Sequence, residues 1–489
     1  MNNDRKVIVF SIMVASGVLL GRIMGFVREA VIAARYGVSV KADVAVLALT
    51  VPDVMVNILV AGGLSAALIP EFKNLSEKKS KVLFVQVSLV ILLSFSLISL
   101  LIGFIPNVLV DVFAPGLHGQ VNLLAQKILS KVIWVVPLTV LAGVSTSYLQ
   151  SQEKFFMPAI GTFLFNSCIV LGLLFFVKAN NLNDLVYFIF IGGAFRYASQ
   201  LWVMRNSIGL SDCFTKPYIG KELLYRYVQA VLGVGVLSLF PVVARAFASF
   251  SGEGGVAMMN YAWRLVEFPL GVVITVLSVV LFPKLSEKYA KNDIEGFDRV
   301  LKEGLFWSLL MAMAIMGPII ASPETFVNVV YGWGDSIPAE KISAISMLLK
   351  IGIIILPFQA VIAMSVAAFN AQKNTKFPMQ VGGIGFVLLV PVCWWAQENF
   401  GLLGIVSAVL IGYTVVSMSL LLAIRAKLSF FYLFVIPFVF FVSTFLISRL
   451  VMKINFLEGL DIIALLIIMC FPVIILLIKR YCFKSVAKV

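Results

Sequence analysis

Histidine is almost missing from this chain: His118 is the only one in 489 residues. No cysteine or carboxylate cluster accompanies it, so His-based acid–base or nucleophilic chemistry has no foothold, and a solvated outer-loop position is the plain reading. The five cysteines, Cys168, Cys213, Cys393, Cys470 and Cys482, stand singly and mostly within apolar runs. That spacing suggests neither a disulfide framework nor a metal site. The chain contains no GxxxxGK[ST], which excludes the usual ATPase loop, and no acidic motif of a metal-dependent glycosyl or phosphoglycosyl transferase. Charge is scarce at 13% of residues, and no loop between apolar runs is long enough for a separate domain. Met1–Lys6 is polar and the apolar run behind it has no small-residue cleavage site, so no cleavable signal peptide is expected. These gaps point away from an enzyme and imply no cofactor and no metal. Uphill movement of a substrate would draw on a coupling ion, the membrane potential or consumption of product.

Apolar sequence fills the space instead. At 61% hydrophobic residues and a mean hydropathy of +1.04, the chain reads as an all-α polytopic membrane protein. Apolar runs between charged breaks give about fourteen transmembrane helices, near 7–34, 43–69, 82–105, 122–149, 156–177, 183–204, 224–250, 256–282, 298–322, 343–370, 378–396, 401–424, 428–450 and 459–478. The net charge of +14 could suggest nucleic acid, but the cations gather in alternate short loops, which is how a multispan protein fixes its orientation. Those loops hold Lys73/Lys78/Lys79/Lys81, Lys154, Arg205/Lys216/Lys221, Lys284/Lys288/Lys291, Lys373/Lys376 and Arg425/Lys427, with Arg5/Lys6 and Lys479/Arg480/Lys484/Lys488 on the same side. Both termini are then cytoplasmic, in a bacterial cytoplasmic (inner) membrane.

The chain repeats itself. Pro137 and Pro357 lie 220 residues apart, as do Pro158 and Pro378, and VVPLTVLAGVSTSYLQSQEKFFMP matches ILPFQAVIAMSVAAFNAQKNTKFP between them. Ser65-Ala-Ala-Leu-Ile-Pro echoes Ser278-Val-Val-Leu-Phe-Pro, and Leu-Ser-Glu-Lys follows both. Residues 1–207 and 208–424 therefore form two parallel six-helix repeats, and 425–489 adds two C-terminal helices and a cytoplasmic tail. Such symmetry suits a transporter that rocks about a central site. A duplicated pore or structural protein is the alternative.

Charges inside the spans carry the functional reading, because a mid-membrane charge costs roughly 2.5–3.5 kcal/mol on insertion scales. Gly17, Gly21 and Gly25 give the first span small-xxx-small spacing, and Arg22, Arg28 and Glu29 interrupt it. Asp43 and Asp53 follow in the second span. Arg22 and Glu29 share a helix face, while Arg28 joins them only if the helix bends, for which Gly25 offers a place. A structural ion pair of Arg22 or Arg28 with Glu29 is the competing reading; two cations against one anion leave positive charge over. In the second repeat Arg264 and Glu267 lie one turn apart, which also allows an intrahelical pair with no substrate role. Arg196 and Arg245 are additional cavity charges, whereas Arg226 and Lys350 sit nearer span ends and can snorkel. If the opening spans of the two repeats face each other, Arg22, Arg28 and Arg264 line an electropositive cavity. Guanidinium suits paired phosphate oxygens, so an anionic phosphate or pyrophosphate substrate is expected.

The run GRIMGFVREAVIAARYGVSVKADVAVLALTVPD, then GGLSAALIPEF, resembles the opening of the MurJ/MviN family of bacterial lipid II flippases. YAWRLVEFPLGVVITVLSVVLFPKLSEK resembles that family's span-8 motif. The family lies in the multidrug/oligosaccharidyl-lipid/polysaccharide exporter superfamily. The resemblance implies a V-shaped cavity that takes an undecaprenyl-pyrophosphate-linked sugar from the cytoplasmic leaflet, and two extra spans that form a groove for the lipid tail. By position Arg22, Arg28 and Arg264 match family arginines, Asp43 matches the acid that starts span 2, and Glu29 stands where aspartate is usual. Membrane lipids and cell-wall or polysaccharide synthesis machinery are the implied partners; nucleic acid is not. There are departures. Asp53-Val-Met-Val56-Asn57, then Ala61-Gly62, replaces an arginine pair and Ala-Glu-Gly, and Ala244 and Trp263 stand where acids are common, so the sodium site of some members is not expected. A flippase for another lipid-linked oligosaccharide (O-antigen or exopolysaccharide) fits this thinner charge set. A cation-coupled drug exporter fits less well, because the excess charge is basic, and a non-transporting scaffold would not need arginines in mid-span.

Overall fold

A computed structural model describes residues 3–55, 65–176, 181–205, 236–271, 275–333, 336–424, 431–454 and 464–469. Among them every expected span carries helix and there is no strand. Val56, Asn57, Ala61, Gly62, Cys213, Arg226, Cys470, Cys482, the basic tail and the 207/208 boundary lie outside the described residues.

The chain packs as two units, Met1–Asn260 and Tyr261–Val489. In the first are α1 (Asn3–Tyr36), α2 (Val40–Met55), α3 (Ser65–Asn74), α4 (Glu77–Phe104), α5 (Asn107–Phe113), α6 (Gly119–Val132), α7 (Val135–Ser151), α8 (Phe156–Phe175), α9 (Leu182–Met204) and α10 (Phe240–Ala248). Helix α11 (Gly255–Pro269) begins in the first unit and continues into the second. There it is followed by α12 (Thr275–Ala290), α13 (Ile294–Ala321), α14 (Pro323–Tyr331), α15 (Ala339–Gly352), α16 (Ile355–Ala371), α17 (Lys376–Ala423) and α18 (Ile436–Ile454). The packing division falls beyond the expected repeat boundary because α10 and the first turns of α11 hydrogen-bond to α1 and α2.

Local chemistry explains the first hairpin. Gly37, at φ 61°, closes α1 with its N–H on the Ala33 carbonyl. A left-handed residue just past a helix end favours glycine. Ser39 then starts α2, its Oγ accepting from Ala42 N and donating to the Tyr36 carbonyl. The glycine stripe of α1 lies on α8: a Cβ on Gly17 would come within 2.7 Å of Ala159 Cβ, and one on Gly21 within 3.2 Å of Thr162 Cβ. Close approach, which hydrocarbon surroundings reward through packing, is thus the use of this stripe.

Helix for helix the second repeat copies the first. α6 and α7 are bent by 41° at their junction, and α15 and α16 by 42°; all four boundaries differ by 220 residues. Pro137 and Pro357 sit in the first turn after each bend, where a residue without N–H cannot reach the carbonyl four back. In the first unit that carbonyl, of Ile133, accepts instead from Val136 N and Ser99 Oγ. Each pair ends alike, with Glu153 and Lys373 at φ 60°, and Lys154 N on Leu149 O matched by Asn374 N on Phe369 O. α4 and α13 are both 28 residues long. The outer stretch of α4 leaves Val90, Leu93, Leu97, Leu101 and Phe104 exposed, a lipid-facing surface. The spans expected at 378–396 and 401–424 meet at Gly401, whose φ of 58° and ψ of −140° only glycine adopts readily.

Candidate functional site

The first unit holds a buried polar chain (Fig-free distances follow in order along it). Arg28 on α1 is 3% exposed. Its Nη2 donates to Glu29 Oε1 at 2.7 Å and to Asp53 Oδ2 on α2 at 3.0 Å, and its Nη1 donates to Asn166 Oδ1 on α8 at 2.9 Å. Asn166 Nδ2 in turn donates to the Gly21 carbonyl at 3.3 Å. A Cβ on Gly25 would lie 3.3 Å from Asn166 Nδ2, so glycine there lets the amide approach α1. Glu29 uses its second oxygen, Oε2, to accept from Asn260 Nδ2 on α11 at 2.8 Å, and Asn260 Oδ1 accepts from Arg245 Nη1 on α10 at 2.9 Å. Asp53–Arg28–Glu29–Asn260–Arg245 is therefore one hydrogen-bonded line through five helix elements, counting the Asn166 branch. Two guanidinium groups face two carboxylates. Inside a membrane such mutual satisfaction is what makes buried charge tolerable.

This geometry corrects the sequence reading at four residues. Arg28 and Glu29 are not cavity-lining groups waiting for a ligand; they realise the competing structural pair, and Asp53 takes up the positive charge expected to be left over. Arg245, 9% exposed, is bound into the same line. Asp43 is fully buried and serves a helix end: its Oδ2 and Oδ1 accept from Gly254 N and Ala257 N, each at 2.8 Å, at the start of α11. A carboxylate there satisfies two N–H groups that the helix itself leaves open and sits favourably in its dipole. We expect Asp43→Ala to lower stability by about 1–2 kcal/mol, and Asp43→Asn, with one acceptor oxygen for two donors, by less. Thermal unfolding in detergent measures both; unchanged midpoints would contradict the assignment.

Arg22 and Arg264 stand differently: both are partly exposed. Arg264, on the second-unit part of α11, has 24% of its side chain open and donates from Nη1 to Glu267 Oε2 at 3.2 Å. Glu267 accepts with its other oxygen from Trp263 Nε1 at 2.9 Å. Trp263 is held by a stacked Tyr413 ring on α17, with centroids 6.3 Å apart. Glu267 is thus a clamp on Arg264 whose own position is set by a buried indole. Trp263→Phe keeps the ring and removes the donor; transport is expected to fall a few-fold, with a stability loss of about 1 kcal/mol. Equal transport in Trp263→Phe and the parent would show that the clamp does not matter.

Arg196 on α9 is buried at 6% exposure, and Asp53 is the carboxylate whose field reaches it. Sequence reading weighed only charged residues and passed over Asn166, Asn260 and Gln200, the amides that join or flank them. Their signal was present: each is a lone amide in an apolar run, as in TFLFNSCIV and MMNYAW. His118 is exposed at the start of α6, as expected of a solvated residue.

Residues 32–480 match the sequence profile described as lipid II flippase MurJ. A probable lipid II flippase MurJ of Buchnera aphidicola subsp. Acyrthosiphon pisum is 27% identical over 376 residues, covering 74% of this chain and 73% of that protein. The lipid II flippase MurJ of Burkholderia cenocepacia is 26% identical over 431 residues, covering 84% and 82%. Among solved structures, a lipid II flippase MurJ in an inward closed conformation shares the fold at a TM-score of 0.82 and 21% identity, over 98% of this chain and 100% of that one. An inward-facing multidrug resistance MATE family transporter of the MOP superfamily shares it at 0.69 and 13%, over 88% and 98%.

Proposed function

The chain belongs to the MurJ family of lipid II flippases, and from that premise we propose that it carries lipid II, an undecaprenyl-pyrophosphate-linked sugar, across the bacterial cytoplasmic membrane. The family match over residues 32–480 is the observation that carries this reading. It is a transporter, not an enzyme: no bond of the substrate is made or broken. Translocation proceeds by alternating exposure of a headgroup site to the two sides of the membrane, with both termini cytoplasmic and an ion gradient or the membrane potential as the drive.

In this reading the partly exposed guanidinium groups, Arg22 of the first unit and Arg264 of the second, engage the pyrophosphate. The hydrogen-bonded line behind Arg22 fixes α1, α2 and α8 so that Arg22 is presented on a rigid frame. Desolvating a doubly charged headgroup without such partners would cost far more than binding could return. Glu267 orients Arg264 and yields it to the phosphate, which is the stronger bidentate acceptor at that position. The test is rescue of a bacterial strain depleted of its own lipid II flippase. Expression of this chain is expected to restore growth, and restored surface polysaccharide without restored growth would move the substrate to another lipid-linked oligosaccharide.

A further inference from the structure

Beside the line of charges lies a second polar cluster that the reading above does not use. Arg196 and Gln200 lie one turn apart on α9, so they share a face of that helix. Gln200 is fully buried, and its Nε2 donates to Thr146 Oγ1 on α7 at 3.0 Å. That bond fixes the amide plane and leaves Oε1 as its open acceptor. Among the described residues, Arg196 Nε and Gln200 Oε1 are buried and have no hydrogen-bond partner. Both side chains converge on α8 at Gly161: Arg196 Nε and Gln200 Nε2 each lie 3.3 Å from where a Cβ on Gly161 would stand. A larger residue there would crowd the two groups, so the glycine forms an open floor.

The charge balance points the same way. Arg28, Arg245 and Arg196 face only Glu29 and Asp53, and both of those carboxylates already accept from Arg28. Asp43 is committed to the start of α11. One buried cation is therefore in surplus, and Arg196 holds it. A buried guanidinium donor beside a buried amide acceptor calls for a ligand that is anionic and carries an O–H or N–H next to its charge.

We propose that Arg196 and Gln200, over Gly161, form a binding subsite for a phosphate that bears an adjacent hydrogen-bond donor. Inorganic hydrogen phosphate has this chemistry, and so does the sugar-proximal phosphate of a glycosyl diphosphate, next to a sugar hydroxyl or N-acetyl N–H. Sulfate, which has the same shape and no proton at neutral pH, fits Arg196 and leaves Gln200 Oε1 unmatched. In its lipid form the inference rests on the flippase reading and deepens it: Arg196 is a specificity-determining cation that reads the phosphate nearest the sugar.

The test uses the full chain with two probes. In detergent, titration with inorganic phosphate and with sodium sulfate is followed by thermal unfolding. In nanodiscs, lipid II binding is followed directly. Phosphate is expected to raise the unfolding midpoint where sulfate does not. Arg196→Gln is expected to remove that rise and to weaken lipid II binding at least about tenfold, the loss of one charge-assisted hydrogen bond. Gln200→Leu is expected to abolish the preference for phosphate over sulfate, and Arg196→Lys, which keeps the charge and should fold, to recover binding only in part. A response to lipid II alone that depends on Arg196 identifies the lipid headgroup as the source. A response to phosphate alone that depends on Arg196 leaves the subsite standing and removes support from lipid II transport. Equal binding of both probes by the parent, Arg196→Gln and Gln200→Leu would overturn the proposal while leaving the flippase reading intact.

Discussion

Arg28→Ala is expected to deplete folded protein from the membrane, not merely to slow transport. The guanidinium serves three acceptors at once, Glu29, Asp53 and Asn166, at 2.7–3.0 Å. Its removal strands Glu29, which is 1% exposed, and frees Asp53 to repel it. Breaking a buried ion pair by deleting one partner typically costs about 3–5 kcal/mol, a large part of the roughly 5–15 kcal/mol by which a domain is stable. Lysine at the same position can serve one of the acceptors well but lacks the planar fork, so Arg28→Lys should lie between the parent and alanine. Neutralising the carboxylates together with the cation, as in Arg28→Met with Glu29→Gln and Asp53→Asn, should recover much of the loss, because no charge then remains to be compensated. Folded yield by size exclusion and the unfolding midpoint of the purified variants check all three. An Arg28→Ala protein with parental yield and midpoint would mean that the network is incidental.

Arg264→Ala should do the reverse, leaving the protein folded while transport fails. The Arg264–Glu267 pair is an i,i+3 contact with 24% and 33% of the side chains exposed, and pairs of that kind contribute about 0–1 kcal/mol to stability. A hydrogen bond to a charged group is worth roughly 1.5–3 kcal/mol where it is made, so loss of the phosphate contact corresponds to a fall of about 10–150-fold in translocation. Arg22→Ala should behave likewise. Arg264→Lys retains the charge without the bidentate geometry and should retain part of the activity. Membrane levels measured alongside transport separate this outcome from the one expected at Arg28.

How far the sequence foretells these roles depends on the kind of interaction involved. Helix positions follow from apolar runs because backbone polar groups in lipid leave helix as the available solution for such stretches. The repeat is visible because its marks, Pro137 with Pro357 and Pro158 with Pro378, are residues whose backbone restrictions shape the chain directly. Even the bends they produce are alike, 41° and 42°. Embedded charges are visible as well, since lipid makes each of them conspicuous.

What cannot be read from one chain position is which charge a given charge meets. Arg28 and Glu29 are neighbours in sequence, and helical geometry argues against their facing the same way; long flexible side chains meet nonetheless at 2.7 Å because Asp53 and Asn166 draw the guanidinium inward from two other helices. Asp43 is matched by position to a family acid, but its partners are backbone N–H groups more than 200 residues away. Amides carry no charge to mark them, so Asn260, which bridges Glu29 to Arg245, stays hidden until the helices are assembled. The departure at Asp53 also gains a physical sense: an acid in place of cations supplies the charge that Arg28 needs.

Translocation of fluorescently labelled lipid II in proteoliposomes tests the account most directly, with the parent chain, Arg22→Ala, Arg264→Ala and Gly161→Ala reconstituted at equal folded amounts. The parent should move labelled lipid II to the opposite leaflet, and the two arginine variants should fall at least about tenfold below it. Movement of lipid II at the parental rate by Arg22→Ala and Arg264→Ala, or no movement by the parent under an imposed potential and ion gradient, would contradict it.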